Sequence, residues 1–240
     1  HTRYRYVTGV RRVLFRSSPR APRDAVSVLP SNRSLLLVLG LLVTIGVCAA
    51  APAGPVSLFD GKTFGGWQGD TTNTWRIEQG AIVGGSLQAT VPQNEFLTTT
   101  GRYTNLVLCL EFRLVGTEGF INGGVQIRSE RLSQPANEMC GYQADLGDDW
   151  WGALYDESRR NKPLVKPDPA AVAKALKKGD WNTYRIRCEG RRIRTWINDV
   201  PMIDYTEPDE SIPQHGLIGL QIHGGAKAEI RFREITLERL

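Results

Sequence analysis

Histidine, methionine and cysteine are all scarce in these 240 residues, at three, two and four copies. The cysteines, Cys48, Cys109, Cys140 and Cys188, fall at no metal-ligand spacing, which excludes a zinc-finger reading. Export would permit a disulfide between Cys109 and Cys188, both in strand-like runs; buried free thiols are the plainer expectation. A Gly-rich phosphate loop, a G-x-S-x-G elbow and an H-E-x-x-H motif are all missing. Nucleotide-dependent, serine-hydrolase and zincin chemistries therefore drop out as leading readings.

A basic surplus is missing too, once its location is considered. The chain carries +5 overall, but residues 1–53 hold eight Arg and only Asp24 as an acid. That leaves 22 basic against 24 acidic residues in 54–240, a net charge of −2. Nucleic-acid binding needs a basic footprint on the folded part, so no nucleic-acid partner is expected.

The opening HTRYRYVTGVRRVLFRS resembles translated adaptor read-through, and residues 1–17 are set apart as a non-native leader. Residues 18–53 read as an n-region, a signal peptide and a cleavage region. Asn32-Arg33-Ser34 precedes thirteen uncharged, mostly apolar residues, Leu35–Val47, and Ala49-Ala50-Ala51-Pro52-Ala53 follows. This is the layout of a secretory signal within about 31–53. Thirteen residues fall short of the about 20 that span a bilayer, so no stable membrane insertion is expected after signal removal. The expected location is periplasmic or secreted. A lipoprotein anchor on Cys48 is disfavoured by Val47, where a small residue would precede the cysteine. Residues 54–240 suit one domain with a sizeable core.

Period-two alternation dominates that part, the signature of strands. Leu106, Leu108, Leu110, Phe112 and Leu114 alternate with Val107, Cys109, Glu111 and Arg113. Similar runs cover Tyr184–Glu189 and Arg192–Ile197, and Asn198-Asp199 suits a tight hairpin turn because both residues tolerate positive φ. Shorter strands are expected at 75–78, 81–83, 125–129, 142–146, 218–224 and 228–237. Only Pro169–Lys178 reads as helix, with Gly179 as its stop. The fold class is all-β: an antiparallel two-sheet jelly-roll sandwich with one short helix.

Three of these strands carry a polar pair on the face away from their apolar residues. The pairs are Gln126 with Arg128, Gln143 with Asp145, and Gln221 with His223. Residues two apart on a strand share a face. Neighbouring strands would join all six into one polar floor. Antiparallel sheets commonly have a wet face, but amides, one His and one Arg, with Gly124, Gly141 and Gly219 alongside, favour a ligand over plain solvent. The segment from Asp148 to Arg160 adds Trp150, Trp151, Tyr155, Asp156, Glu157 and Arg159. At least one of the adjacent tryptophans is expected at a rim, where its face suits a sugar.

The ordered set of motifs resembles the 3-keto-disaccharide hydrolase domain family. The match opens at Phe59-Asp60-Gly61-Lys62, Gly66-Trp67 and Trp75–Gly84. It continues through Asn122–Arg128, Gly141–Asp145, Gly152–Tyr155, Gly179–Asn182, Trp196–Val200 and Gly219–Gly224, to Ile230–Ile235. The resemblance covers about 56–240 and implies a concanavalin A-like sandwich with a concave sugar-binding face. Many members read Tyr-Glu-x-Gln-Ile-x-Asp where this chain has Tyr142-Gln143-Ala144-Asp145, so no catalytic Glu is carried over at Gln143.

The implied activity is cleavage of 3-keto glycosides by proton abstraction at C2, elimination and hydration. Such a site needs a base, an acid and a group that stabilises an enolate. The expected assignment makes Asp145 or Glu157 the base, His223 with Arg128 the enolate stabilisers, and Tyr155 the donor to the leaving oxygen. Gln126, Gln143, Gln221, Trp150, Trp151, Asp156 and Arg159 are expected to bind substrate. The one cofactor left open is a divalent cation, which would sit on His223 with Asp145 or Glu157 and replace Arg128 as electrophile. The rival expectation is a non-catalytic carbohydrate-binding module or lectin on the same sandwich, since fold alone does not fix function. The expected partner is a carbohydrate in either case.

Overall fold

The structure is a computed structural model that describes residues 54–240. The leader, the signal segment and Cys48 lie outside the described residues. The alternating runs form fifteen strands and one helix. Short strands β1 (Val56–Ser57), β2 (Trp67–Gln68) and β3 (Trp75–Glu78) lead into β4 (Ala81–Ser86) and β5 (Glu95–Thr99). Long strands follow: β6 (Leu106–Glu118), β7 (Asn122–Arg131) and β8 (Met139–Gly147). Then come β9 (Leu154–Glu157), β10 (Lys162–Val165), α1 (Pro169–Ala175), β11 (Asn182–Glu189) and β12 (Arg192–Ile197). The chain closes with β13 (Val200–Thr206), β14 (Leu217–Ile222) and β15 (Lys227–Arg239).

Two antiparallel sheets stack. One runs β13-β12-β11-β6-β15-β4-β3, with β1 added to β15; the other runs β10-β9-β8-β7-β14-β5-β2. Their facing sides meet in one core. Leu106, Leu108, Leu110 and Phe112 of the first sheet are buried against Val125, Ile127, Leu220 and Ile222 of the second. The Asn198-Asp199 turn has φ of 47° and 63°, the left-handed pair that a two-residue hairpin needs. Asp168 caps α1 by accepting from the Ala170 N–H at 2.9 Å, and the helix stops at Ala175, short of the expected Gly179. Among the described residues no helix is long and apolar enough to cross a membrane.

Cys109, Cys140 and Cys188 are free thiols. Cys188 is buried in the core, whereas Cys109 alternates with the core residues Leu108 and Leu110 and so faces outward. The two cannot meet across one face of their sheet.

Candidate active site

The site lies on the outer side of the second sheet, opposite the core. β8 sits between β7 and β9, in register Gly124↔Asp145 and Gln126↔Gln143 on one side, Gln143↔Tyr155 and Gly141↔Glu157 on the other. β14 continues the grid with Gln221 beside Gly124 and Gly219 beside Gln126. His223 follows β14 and donates its N–H to Asn122 O at 3.0 Å. Asn122, Gln143 and Asp145 line the bottom of a pocket whose walls are Tyr155, Glu157 and His223. Phe120 and Trp150 form its rim.

Two carboxyls in this pocket hold their protons unusually well. Burial pushes Asp145 up to about 8, with the nearby Glu157 charge adding to it, against hydrogen bonds from Gln143 and Asn122. Burial likewise raises Glu157 to about 7, helped by the charge of Glu138. Burial, then Glu157 and Asp145, raises the Tyr155 hydroxyl, which therefore stays a donor. Perturbed acids gathered in a cleft are the electrostatic mark of a functional site.

The His223 ring is held in place by one hydrogen bond. Its Nδ1 lies 2.6 Å from the Gly224 carbonyl oxygen, which can only accept. Nδ1 therefore carries a proton, and Nε2 is the ring nitrogen left without a protein partner among the described residues. Phe120 meets the ring edge-on, with centroids 4.9 Å apart.

The six-residue polar floor is corrected at three points. Arg128 adopts φ 51° within a register shift between Ile127 and Glu130, which turns it off the shared face. Its guanidinium donates to Thr104 O, Gly190 O and Gln214 Oε1 at 2.7–2.8 Å, so it ties loops together away from the pocket. Gln126 and Gln221 face the right way but are fully buried. The stretch from the end of β7 to the start of β8 covers them: Arg131 donates to Phe96 O, Asn137 to Asn94 O, and Met139 packs with Phe96 and Leu217 over Gly219.

Three expected substrate-binding residues lie elsewhere. Asp156 shares the core-facing side of β9 with Leu154, opposite to Tyr155 and Glu157. It is fully buried, pairs with Arg159 and Arg160, and Arg160 reaches Glu207 at 2.6 Å. Arg159 lies over the Tyr142 ring, 4.5 Å from its centroid. Trp151 stacks on Phe112 of the other sheet, whereas Trp150 lines the pocket and meets Tyr155 edge-on. Phe120 and Asn122 were absent from the expected set. Asn122 opens the Asn-Gly-Gly motif at the start of β7, two residues before Gly124, so strand periodicity already put it on the polar face. Among the described residues no group of three His, Cys, Asp or Glu side chains gathers at metal-binding spacing, and no ligand set is assigned for the divalent cation.

Fold and site together define a jelly-roll sandwich protein with a carboxyl-bearing pocket on the outer face of its second sheet. The chain belongs to the family of 3-keto-alpha-glucoside-1,2-lyase-like domains, whose profile matches residues 54–238. No curated protein sequence matches it. Among solved structures it resembles a Parabacteroides distasonis protein provisionally assigned as a glycosyl hydrolase. Identity is 20% over 78% of this chain and 94% of that one, with a TM-score of 0.58. It also resembles the carbohydrate-binding module CBM66 of Bacillus subtilis, at 15% identity over 72% and 95% of the two chains, TM-score 0.55. Both likenesses describe the sandwich.

Proposed function

We propose that this protein cleaves the glycosidic bond of 3-keto glycosides by eliminating across C1–C2 and then adding water. The family supports a carbohydrate substrate, and the convergence of Asp145, Glu157, Tyr155 and His223 in one pocket carries the catalytic reading. A binding module needs aromatic platforms and amides; it has no use for two carboxyls poised near neutrality. Export through the 31–53 segment belongs to this reading and fits an external sugar supply.

A ketone at C3 acidifies the C2 proton, because its loss gives an enolate. Glu157, with its lower value, is the ionised base that takes this proton. Collapse of the enolate restores the C3 carbonyl, forms a C1–C2 double bond and breaks the C1–O bond. Asp145, still protonated at neutral pH, gives its proton to the departing oxygen. Water adds at C1 and a proton returns to C2, completing a net hydrolysis. Tyr155 stands opposite Gln143 in the ladder, between the two carboxyls, and its hydroxyl donates to the oxygen at C3 as charge develops there. Nε2 of His223 hydrogen-bonds a sugar hydroxyl, and Trp150 with Phe120 packs the apolar faces of the rings.

The pH profile tests this assignment. Activity rises as Glu157 ionises around 7 and falls as Asp145 deprotonates around 8, giving a narrow bell between them. Glu157→Gln and Asp145→Asn each lower kcat by about 10²–10⁴-fold, the usual worth of general acid–base catalysis. Either variant at wild-type rate on a 3-keto glycoside would overturn the assignment.

A further inference from the structure

Four side chains run in single file beneath the pocket. Ser129 Oγ donates to Gln126 Oε1 at 2.6 Å, Gln126 Nε2 to Gln143 Oε1 at 2.8 Å, and Gln143 Nε2 to Asp145 Oδ1 at 2.7 Å. The ladder builds the file. Gln126 and Gln143 are direct cross-strand partners, and Gln143 and Asp145 are two apart on one face. Gly124 leaves the space that Gln143 crosses, since a Cβ there would lie 2.8 Å from Gln143 Cγ. The bulge at Arg128 brings Ser129 back against Gln126.

In this order every donor points toward Asp145, as an ionised carboxylate requires, because it only accepts. A protonated Asp145 needs an acceptor instead. A primary amide has a donor on one side and an acceptor on the other, and its orientation is set by the network around it. With both amides turned over, the Asp145 O–H donates to Gln143 Oε1, Gln143 Nε2 to Gln126 Oε1, and Gln126 Nε2 to Ser129 Oγ. The Ser129 hydroxyl then needs a new acceptor, and two stand ready: Ile127 O at 3.0 Å and Tyr142 O at 3.3 Å.

We propose that Ser129, Gln126 and Gln143 are positioning residues whose file reverses direction whenever Asp145 gains or loses its proton. A buried carboxyl is thereby satisfied in both states. No bond breaks within the file; the amides rotate, and the proton enters and leaves Asp145 from the pocket side. The use of this device rests on Asp145 as the acid of the proposed reaction, since an acid must pass through both forms in each turnover. Other titratable groups face Asp145: Glu157 and Tyr155 from β9, Lys166 after β10, Tyr184 of β11 and His223 after β14. Among the described residues none of them hydrogen-bonds to Gln126 or Ser129, so a change at Gln126 reports the file.

Nuclear magnetic resonance tests this without substrate, by following the side-chain NH₂ groups of Gln126 and Gln143 and the Asp145 carboxyl carbon from pH 5 to 10. Both amides are expected to shift with the midpoint of Asp145. Gln126→Glu places a carboxylate that accepts from both Ser129 and Gln143, which fixes Gln143 with Oε1 toward Asp145. The Asp145 midpoint then rises by about a unit or more, tenfold in proton affinity. A Gln126 amide that stays flat while Asp145 titrates, an Asp145 that does not titrate in this range, or an unmoved midpoint in Gln126→Glu would each overturn the proposal. The wild-type titration needs no variant, so a poorly folding Gln126→Glu still leaves a decisive result. An inactive protein with a reversing file would refute the keto-glycoside reading alone.

Discussion

Asp145 is 4% exposed, and its raised carboxyl has a thermodynamic consequence apart from catalysis. The folded state holds this proton far more tightly than the unfolded chain does, whose Asp titrates near 3.8. The stability it lends is complete below about pH 4 and drains away as pH rises through about 8. Asp145→Asn removes that drain, so its stability relative to wild type is expected to grow between pH 5 and pH 8.5, by about 1 kcal/mol or more at one pKa unit per about 1.4 kcal/mol. Urea unfolding at the two pH values measures it, and an identical difference at both would show that Asp145 does not titrate there. The same residue would then combine lost activity with gained alkaline stability, a trade common at active sites. Gln143, Asp145 and His223, which line the pocket, could be picked out by period two along β8 and β14, and Trp150, Tyr155 and Glu157 only as members of the dense Asp148–Arg160 segment. The departure of Arg128 from the shared face could not be read this way. Its strand carries no Gly or Pro at the bulge to announce that the phase breaks there.

β9 is a strand of four residues that does two jobs with its two faces. Tyr155 and Glu157 point into the pocket, while Leu154 and Asp156 point into the core. Asp156 accepts from Arg159 Nε at 2.8 Å and pairs with Arg160, which continues to Glu207. Burial works to raise Glu207, but hydrogen bonds from Arg160 and Tyr142 hold it down at about 2. This buried network fixes the strand that presents Glu157. Removing one partner strands the others, so Asp156→Ala is expected to cost about 3–5 kcal/mol of unfolding free energy. A loss under about 1 kcal/mol would mean that the network contributes little. The alternation Leu154-Tyr155-Asp156-Glu157 already separated the two acids onto opposite faces; reading the whole segment as one charged cluster concealed it. Trp151 was misplaced for a different reason, since it reaches Phe112 of the opposite sheet, and contacts between distant strands leave no local pattern.

At the scale of the molecule, two sheets of alternating residues make a core on one side and a workable surface on the other. That division was plain from the strand periods and turn residues, including the Asn198-Asp199 hairpin. What covers the surface was not. The segment 131–139 covers the β5–β14 part of the outer face, through contacts such as Arg131 to Phe96 O that span 35 residues, and the pocket lies beside it between Asn122, Asp145, Glu157 and His223. The most direct test gives the purified protein a chromogenic 3-keto glucoside and, in parallel, the ordinary glucoside with the same leaving group. The account predicts release from the keto substrate alone, because only the ketone acidifies C2. Equal release from both, or sugar binding with release from neither, would contradict it.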